Sequence, residues 1–417
     1  MTTLAPQTRR SVIILVGVWL AWGACLLAFQ ELVVARLEPD RPDTVLGWTA
    51  QETGVRRFGG RPYLAEPTLN THVAFDSEYY VSIAVVGYED PDVPQYEPPI
   101  GEDVPLNYAF LPAYPLAMRV VAAPLGWFGM EPIAAATVAG VAVSLLATLA
   151  AMLALYSLAR RHLGEGGAIR AVFFFLVFPS GFFLAQVYTE ALFLALSFGA
   201  LALVADRRPL LAGLLAIVAV LTRPVGIALV LPIGIGLVEA VLRWRRADET
   251  NPPPWRELVA WGLAALAPVV TYLAWSSSAM GRAFETVQRE YFGRGLLNLD
   301  AAWEGWTGAI AGFGEALPET RFYYGLEVAA VVLAVVACAW ALRRWPSAAV
   351  FGLAVLFISL SSGEPQGMIR YALAVPPIFL LLGRLGEHAI FDRGWTVLSL
   401  LLMGLLTTVY SFDFWVA

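Results

Sequence analysis

Long apolar runs separated by short polar segments cover most of this chain. A bilayer span needs about 20 mostly apolar residues, so each run predicts a membrane-spanning helix. The runs fall at 11–34, 131–159, 168–186, 189–205, 209–222, 224–242, 257–279, 323–342, 347–361, 371–384 and 395–412. They predict an all-α, polytopic integral membrane protein with about eleven spans. Residues 209–242 are the least regular, because Pro209, Arg223-Pro224 and Pro232 divide them into two short helices, which form either two spans or one hairpin that does not fully cross.

The arginines predict how these spans are oriented. They cluster at alternate ends of the runs, at Arg9-Arg10, Arg160-Arg161, Arg207-Arg208, Arg243-Arg245-Arg246, Arg343-Arg344 and Arg384 with Arg393. Cytoplasmic loops are enriched in positive charge, so the N-terminus is expected in the cytoplasm and, with an odd number of spans, Ala417 outside. The first run begins like a signal sequence, but Trp22-Gly23-Ala24-Cys25 is a poor cleavage site, and we interpret the run as an uncleaved anchor.

This orientation places the two long polar segments, residues 35–130 and 280–322, on the extracytoplasmic side. Neither segment is long enough to bury a core of its own, so residues 1–417 are expected to form a single transmembrane domain. The asymmetry predicts that any active face is extracytoplasmic.

Within the first polar segment, helical spacing predicts a short amphipathic helix lying in the membrane interface. Its apolar positions are Phe75, Tyr79, Ile83 and Val86. The stretch 89–105 then carries six acidic side chains, five prolines and no basic residue. We interpret this stretch as a solvated loop, because it lacks the spacing of a calcium-binding loop.

Composition agrees with the membrane class and excludes others. Hydrophobic residues make up 59% of the chain and charged residues 14%, against about 45–50% and about 25% in soluble domains. The net charge of −6 gives no sign of nucleic-acid binding. Cys25 and Cys338 both lie inside apolar runs, so neither a disulfide framework nor a cysteine metal site is expected.

Asp76, at the start of the predicted interfacial helix, is a candidate general base. An ionised carboxylate at a water-accessible membrane surface can take the proton of a reacting hydroxyl. The alternative is that Asp76 is the N-cap of the helix, and the two roles are compatible. Glu78 would face away from Asp76 on that helix, and we expect it to be solvated. His72 could orient a substrate or assist proton transfer, although a lone loop histidine is usually exposed.

Three further charges lie beside apolar runs. A carboxylate costs roughly 2.5–3.5 kcal/mol at a helix centre, so Glu190 is expected to face a polar cavity or to pair with Arg223. Arg223 and Arg370 lie in short outer connections, where the positive-inside bias disfavours arginine. A lipid phosphate would explain both, because guanidinium binds phosphate oxygens bidentately. The alternatives are snorkelling to headgroups, or pairing with Glu364 or Glu190.

Several short motifs follow one another between about residues 75 and 380. They are Asp76, Tyr79-Tyr80, Gly87-Tyr88, Phe110-Leu111-Pro112-Ala113-Tyr114-Pro115, Phe178-Pro179-Ser180, Tyr188-Thr189-Glu190-Ala191-Leu192-Phe193, Thr222-Arg223-Pro224-Val225-Gly226, Arg370-Tyr371 and Pro376-Pro377. In these motifs and their order, the chain resembles the PIG-V family of mannosyltransferases, within the GT-C class of polyprenyl-phosphate-dependent glycosyltransferases. Leu111 is an extra residue relative to the family's Phe-Pro-x-Tyr-Pro-like stretch.

The resemblance implies a GT-C-like fold and an inverting transfer of mannose from a polyprenyl-phosphate donor to an acceptor hydroxyl on a glycolipid, a glycan or a protein. Asp76 would be the base and Glu190 would organise the pocket. The expected substrate-binding residues are Arg370, Arg223, Tyr371, Tyr188, Tyr80 and His72. No cofactor is expected, and no essential metal, because the leaving phosphate is already charged and arginines could hold it.

Other readings of the same features remain open. A secondary transporter or lipid-linked-sugar flippase would show paired broken helices in matching halves and polar groups near the midplane. A non-catalytic membrane assembly subunit would keep the helices without needing Asp76. Tyr188 and Tyr371 are either substrate contacts or interfacial aromatics. Trp303 and Trp306, in the second polar segment, either stack on a sugar or lie in the interface.

Overall fold

The computed structural model describes residues 6–37, 71–91, 93–99, 101–247, 252–363, 365–412 and 414–416. Its helices are α1 (Pro6–Leu37), α2 (Asp76–Val85), α3 (Ala113–Trp127), α4 (Pro132–Leu176), α5 (Glu190–Ala205), α6 (Pro209–Thr222), α7 (Val230–Ala247), α8 (Trp255–Ser276), α9 (Ala279–Thr286), α10 (Leu299–Gly312), α11 (Pro318–Ala341), α12 (Pro346–Leu360), α13 (Met368–Tyr371), α14 (Pro376–Leu385) and α15 (Ala389–Ser411). Two short strands, β1 (Gln95–Tyr96) and β2 (Val104–Pro105), pair antiparallel. The predicted all-α class is confirmed.

The apolar helices confirm a polytopic membrane protein. In the described part of the chain, six are long and apolar enough to cross a bilayer: Arg9–Leu37, Pro132–Leu176, Pro224–Arg246, Trp255–Ser276, Pro318–Ala341 and Ala389–Ser411. Met368–Ala374 and Pro376–Leu385, bent by 80° where they meet, would together form a seventh span. Helices α5, α6 and α12 are apolar but only 14 to 16 residues long, below the roughly 20 that a span needs. The predicted count of about eleven is therefore not confirmed.

The runs predicted at 131–159 and 168–186 both lie in α4, which consists of two helical segments joined at a non-helical residue. It is kinked at Gly164, whose φ of 66° lies in the left-handed region that glycine adopts readily. The helix ends at Leu176, ten residues before the end of the predicted run. Pro179 accounts for the early end, because the residue before a proline is disfavoured in helical conformation. The rest of the run forms turns and the short 3₁₀ helix Gly181–Ala185.

Residues 209–242 form two helices, as predicted, with a break between them. Helix α6 ends at Thr222, and Arg223 is extended with φ −149° and ψ 136°, the conformation favoured before a proline. A 3₁₀ helix, Pro224–Leu229, then leads into α7. The break leaves Arg223 outside both helices.

Small residues allow two pairs of helices, α6 with α8 and α14 with α4, to pack closely. A Cβ on Gly213 of α6 would lie 2.9 Å from the Cα of Ala264 of α8. A Cβ on Gly383 of α14 would lie 2.8 Å from the Cβ of Ala171 of α4. Close approach at small residues is the usual way that membrane helices pack.

Helix α2 forms where helical spacing predicts it, but it has no exposed polar face over most of its length. Residues from Ser77 to Ala84 are all buried, because α3, α4 and the loop before α3 cover the helix. Glu78 is therefore buried, and the expectation that it is solvated is wrong. The acidic stretch that follows is not uniformly solvated either, since Asp90 is buried and its Oδ2 accepts a hydrogen bond from Ser82 Oγ at 2.7 Å. Asn107 Nδ2 donates to the same Ser82 hydroxyl at 2.8 Å and closes the network.

Candidate functional site

Four charged side chains from distant parts of the chain meet in one cluster. Arg370 Nη1 lies 3.4 Å from Asp76 Oδ2, and Arg370 Nε lies 3.3 Å from Glu190 Oε1. Arg223 Nη1 forms an ion pair with the same Glu190 oxygen. The Arg370 and Glu190 side chains are each 4% exposed, Arg223 is 14% exposed and Asp76 is 25% exposed. Asp76 is therefore the member of this charge cluster that a bound molecule reaches most easily.

Each member of the charge cluster lies at the end of a helix or at a break between helices. Asp76 is the first residue of α2, and Glu190 is the first residue of α5. Arg223 occupies the break after α6, and Arg370 lies in the short helix α13 at the bend before α14. The ends of these elements meet at one place, so residues as far apart as 76 and 370 come into contact.

The alternative role of Asp76 as an N-cap is wrong. Phe75 occupies the N-cap position, and among the described residues α2 has no side-chain capping hydrogen bond. Asp76 directs its carboxylate to Arg370 instead. Phe75 has a φ of 55°, an uncommon conformation for a residue other than glycine. Its ring packs edge-on against Trp415, with centroids 5.2 Å apart, and this contact holds the strained turn before Asp76.

Aromatic rings enclose the two guanidinium groups. Arg223 lies over the ring of Tyr371, 5.0 Å from its centroid. Arg370 lies 5.5 Å from the centroids of both Phe183 and Tyr188, and 5.8 Å from that of Tyr371. Cation–π contacts of this kind are worth about 2 kcal/mol when desolvated. Tyr188 and Tyr371 therefore line the charge cluster, and the alternative that they belong to an interfacial belt does not describe their position.

The charge cluster contains buried polar atoms without hydrogen-bond partners among the described residues. They are Oε2 of Glu190 and Nε of Arg370, whose 3.3 Å approach to Glu190 is an ion-pair contact without hydrogen-bond geometry. An unsatisfied buried polar group costs about 1–3 kcal/mol, and more if it is charged. Atoms of this kind are available to a ligand without breaking an existing hydrogen bond.

A small cavity of about 10 Å³, with room for about one water molecule, lies beside these atoms. Its polar lining comes from Glu190, Arg223, Arg370 and Tyr371. The rest of the lining is apolar: Phe193, Leu194, Val225, Val355, Leu373 and Ala374. The cavity is therefore charged on one side and apolar on the other.

Tyr80 and His72 lie beside the charge cluster rather than in it. Tyr80 is buried, and its ring packs edge-on against Phe110 and Tyr114. His72 is also buried, contrary to the expected exposure of a loop histidine, and its Nδ1 lies 3.0 Å from Gln186 Oε1. Gln186 is hydrogen-bonded to Gln30 of α1, so the surrounding elements enclose His72.

Arg294 belongs to the site, although nothing in the sequence singled it out. Its Nη1 donates a hydrogen bond to the Tyr371 hydroxyl at 2.8 Å. Close backbone packing holds the loop around Arg294 against the residues after α12. Gly295 N donates a hydrogen bond to Ser362 O at 2.8 Å, and a Cβ on Gly363 would lie 2.2 Å from the carbonyl oxygen of Gly293. Arg294 lies in a polar segment that contains other arginines, so no local pattern distinguishes it.

The remaining sequence candidates lie elsewhere. Trp303 is largely exposed, and Trp306 Nε1 donates to Leu360 O at 3.3 Å. Neither ring has a described contact with the charge cluster. Glu364, an alternative partner for the arginines, lies outside the described residues. Among the residues that the structure describes, no group of three or more His, Cys, Asp or Glu side chains is arranged to hold a metal ion.

Comparison with known proteins finds one matching family and several similar folds. Residues 62–232 match the family described as mannosyltransferase (PIG-V). No curated protein sequence matches the chain. The family match at residues 62–232 covers less than half of the chain. It includes Asp76, Glu190 and Arg223 but ends before Arg370.

Solved structures of the Archaeoglobus fulgidus oligosaccharyltransferase are distantly similar. The complex with Zn and sulfate has 15% sequence identity and a TM-score of 0.46, with 92% of this chain and 53% of the other covered. The apo form has 14% identity and a TM-score of 0.44, with 96% and 56% covered. The AglB complex with an inhibitory peptide and a dolichol-phosphate has 14% identity and a TM-score of 0.41, with 94% and 55% covered. The chain thus spans about half the length of these proteins.

The family match falls on the region where the charge cluster begins. It contains the motifs at Asp76, at Glu190 and at Arg223 that predicted the resemblance. Over residues 62–232, this chain is similar to the PIG-V family of mannosyltransferases, as its motifs predicted.

Proposed function

We propose that this protein is an inverting glycosyltransferase of the GT-C type that moves mannose from a polyprenyl-phosphate donor to an acceptor hydroxyl. The proposed setting is the cell membrane, with the N-terminus in the cytoplasm and the site on the extracytoplasmic face. One observation carries the proposal: Arg370 contacts both Asp76 and Glu190 on the charged side of a cavity that is apolar on the other side. The matching family description supplies the sugar.

Arg370 and Arg223 are the proposed ligands of the donor phosphate. Each guanidinium has five N–H donors, and the contacts to Glu190 and Asp76 use only some of them. A phosphate can therefore bind without displacing the carboxylates. The apolar residues beside the charge cluster, Phe193, Leu194 and Val355, are the proposed contacts of the first part of an isoprenoid chain.

The proposed reaction is a single displacement at the anomeric carbon. The acceptor oxygen attacks from the face opposite the phosphate, and its new bond to carbon forms as the carbon–phosphate oxygen bond breaks. The bonding electron pair leaves with the phosphate, and the acceptor proton passes to the Asp76 carboxylate. Arg370 and Arg223 stabilise the charge that develops on the leaving phosphate, in a buried site where such interactions are strong.

Glu190 is proposed to organise this arrangement. It balances part of the arginine charge, and its Oε1 contacts both guanidinium groups. Its Oε2, which has no partner among the described residues, is free to accept a hydrogen bond from a sugar hydroxyl. Glu190 would thus orient the donor as well as the arginines.

A reconstituted sugar-transfer assay tests the proposal. Purified protein in defined liposomes receives labelled polyprenyl-phosphate mannose and a host lipid extract, with a protein and a glycan acceptor in parallel reactions. Formation of a labelled product, with release of polyprenyl phosphate, is expected. Movement of the labelled lipid across the bilayer without transfer would identify a flippase. Neither transfer nor movement, by protein that is folded, would leave the assembly-subunit alternative.

A further inference from the structure

A further buried carboxylate, Glu327, lies outside the charge cluster, in the middle of α11. Glu327 has no exposed surface. Its Oε1 accepts a hydrogen bond from Gly367 N at 3.0 Å, and its Oε2 accepts one from Ile369 N at 2.9 Å. A carboxylate inside a candidate span is costly and usually marks a function. Because Glu327 is enclosed and both its oxygens are used, it cannot touch a substrate, so its role must act through the backbone that it holds.

The backbone held by Glu327 is the turn that carries Arg370. Gly367 has a φ of 82°, a left-handed conformation that glycine adopts without penalty. Its carbonyl accepts hydrogen bonds from Arg370 N at 3.0 Å and Tyr371 N at 2.9 Å. Helix α13 has only four residues, far fewer than a helix needs to be stable alone. Its geometry therefore depends on outside contacts.

We propose that Glu327 is a positioning residue for Arg370. By binding the N–H groups of Gly367 and Ile369, it fixes the turn, and the turn places the guanidinium between Asp76 and Glu190. A misplacement of about 1 Å can cost about 10²-fold in rate, so a small shift of this turn would matter. The inference rests on the proposed function for its kinetic consequences, although the placement of the turn can be measured independently.

Tyr323, one helical turn before Glu327, adds a contact to the same turn at Gly367. Its hydroxyl lies 3.2 Å from Gly367 N and accepts a hydrogen bond from Trp415 Nε1 at 3.3 Å. Trp415 in turn packs edge-on against Phe75, the residue before Asp76. The contacts therefore reach from the turn that carries Arg370 to the turn that carries Asp76.

Variants at Glu327 separate positioning from general stability. Glu327→Gln keeps one acceptor oxygen but turns an amide N–H toward a backbone donor, whereas Glu327→Asp keeps both acceptors on a shorter side chain. Tyr323→Phe is a milder change, because it removes only the hydroxyl that contacts Gly367 N. Cys338→Ala is the matched control, because Cys338 is buried in the same helix, about three helical turns beyond Glu327. Each variant is first checked for folding by its thermal unfolding midpoint.

Hydrogen–deuterium exchange measures the turn directly, without any assay of activity. Faster exchange at the amides of Gly367 and Ile369 is expected in Glu327→Gln, with a smaller increase at Gly367 in Tyr323→Phe and none in Cys338→Ala. Unchanged exchange in folded Glu327→Gln would overturn the proposal. If Glu327→Gln does not fold, Tyr323→Phe decides the same question. This readout remains valid even if the wild type transfers no sugar, in which case the proposed function fails separately.

Kinetics then test whether the turn acts through Arg370. Glu327→Gln should raise the apparent Michaelis constant for the lipid-phosphate donor about tenfold or more, the equivalent of losing about one charge-assisted hydrogen bond. The apparent Michaelis constant for the acceptor should stay nearly unchanged. Glu327→Asp should restore part of this loss. In an Arg370→Ala background, Glu327→Gln should add little, because residues that act through one contact are not additive. Fully additive losses in donor affinity would show that Glu327 acts on general stability and would refute the positioning role.

Discussion

Replacing Arg370 tests the donor site most sharply, because its guanidinium joins the two carboxylates. Arg370→Lys keeps a positive charge but loses the planar fork that can bind Asp76, Glu190 and a phosphate together. Arg370→Ala removes both charge and donors. Sequence position alone suggested an interfacial anchor as the alternative, but the side chain is 4% exposed and cannot snorkel to headgroups.

The size of the effect follows from the contacts. A hydrogen bond to a charged group is worth about 1.5–3 kcal/mol, so Arg370→Ala should weaken donor binding about 10- to 150-fold. Arg370→Lys should fall between this variant and the wild type. Breaking a buried ion pair costs about 3–5 kcal/mol when it strands a charge. Glu190 keeps Arg223 as a partner, so the loss of folding stability should fall below that range.

Initial rates at varied donor and acceptor concentrations measure this prediction, with Arg161→Lys as the matched control. Arg161 pairs with Asp206 in an exposed ion pair away from the charge cluster, and exposed pairs contribute about 0–1 kcal/mol. The apparent Michaelis constant for the donor should rise in both Arg370 variants, while that for the acceptor stays near its wild-type value. Both constants should stay near wild-type values in the Arg161→Lys control. Equal donor constants in Arg370→Ala and the wild type would refute the reasoning and leave Arg223 as the better phosphate ligand.

Three smaller predictions follow from other contacts. Arg294→Ala removes the hydrogen bond to the hydroxyl of Tyr371 and should raise the donor constant about 2- to 13-fold, the equivalent of about 0.5–1.5 kcal/mol; an unchanged constant would remove Arg294 from the site. Gly363→Ala places a Cβ 2.2 Å from a backbone oxygen at a φ of 130° and should lower the thermal unfolding midpoint, by an amount equivalent to about 1–3 kcal/mol; an unchanged midpoint would contradict this close packing. In a cysteine-free background, a cysteine at Glu315 should react with an impermeant reagent from outside and one at Asp248 should not; labelling at Asp248 in sealed cells would reverse the orientation.

The positions of the helices along the chain could be predicted better than the points where the helices end or the residues that they bury. Apolar runs located most of them, because a bilayer imposes a strong length and composition signal. Hydropathy does not report where a helix stops, so the run at 168–186 was predicted to continue past Leu176. Periodicity correctly located α2 but misjudged its surroundings, because a regular apolar stripe does not reveal that Glu78 and Asp90 are also covered.

The charge cluster was predictable in its members but not in its contacts. Glu190, Arg223 and Arg370 stood out because a charge beside an apolar run needs a local reason, and Asp76 stood out because it begins the predicted interfacial helix. Their meeting at one place depends on helix ends that lie far apart in sequence, which no local pattern encodes. Glu327 lies inside an apolar run as well, but its partners are backbone N–H groups 40 and 42 residues away, and these leave no trace in the sequence.

Sugar transfer by Asp76→Asn tests the central claim most directly. Asparagine keeps the size of the side chain and can still accept a hydrogen bond from Arg370, but it cannot take up the acceptor proton. The rate of mannose transfer from labelled polyprenyl-phosphate mannose should fall by about 10²–10⁴-fold, the usual contribution of a general base. Folding and donor affinity should change little. Transfer by folded Asp76→Asn at a rate near that of the wild type would contradict the assignment of Asp76 as the catalytic base.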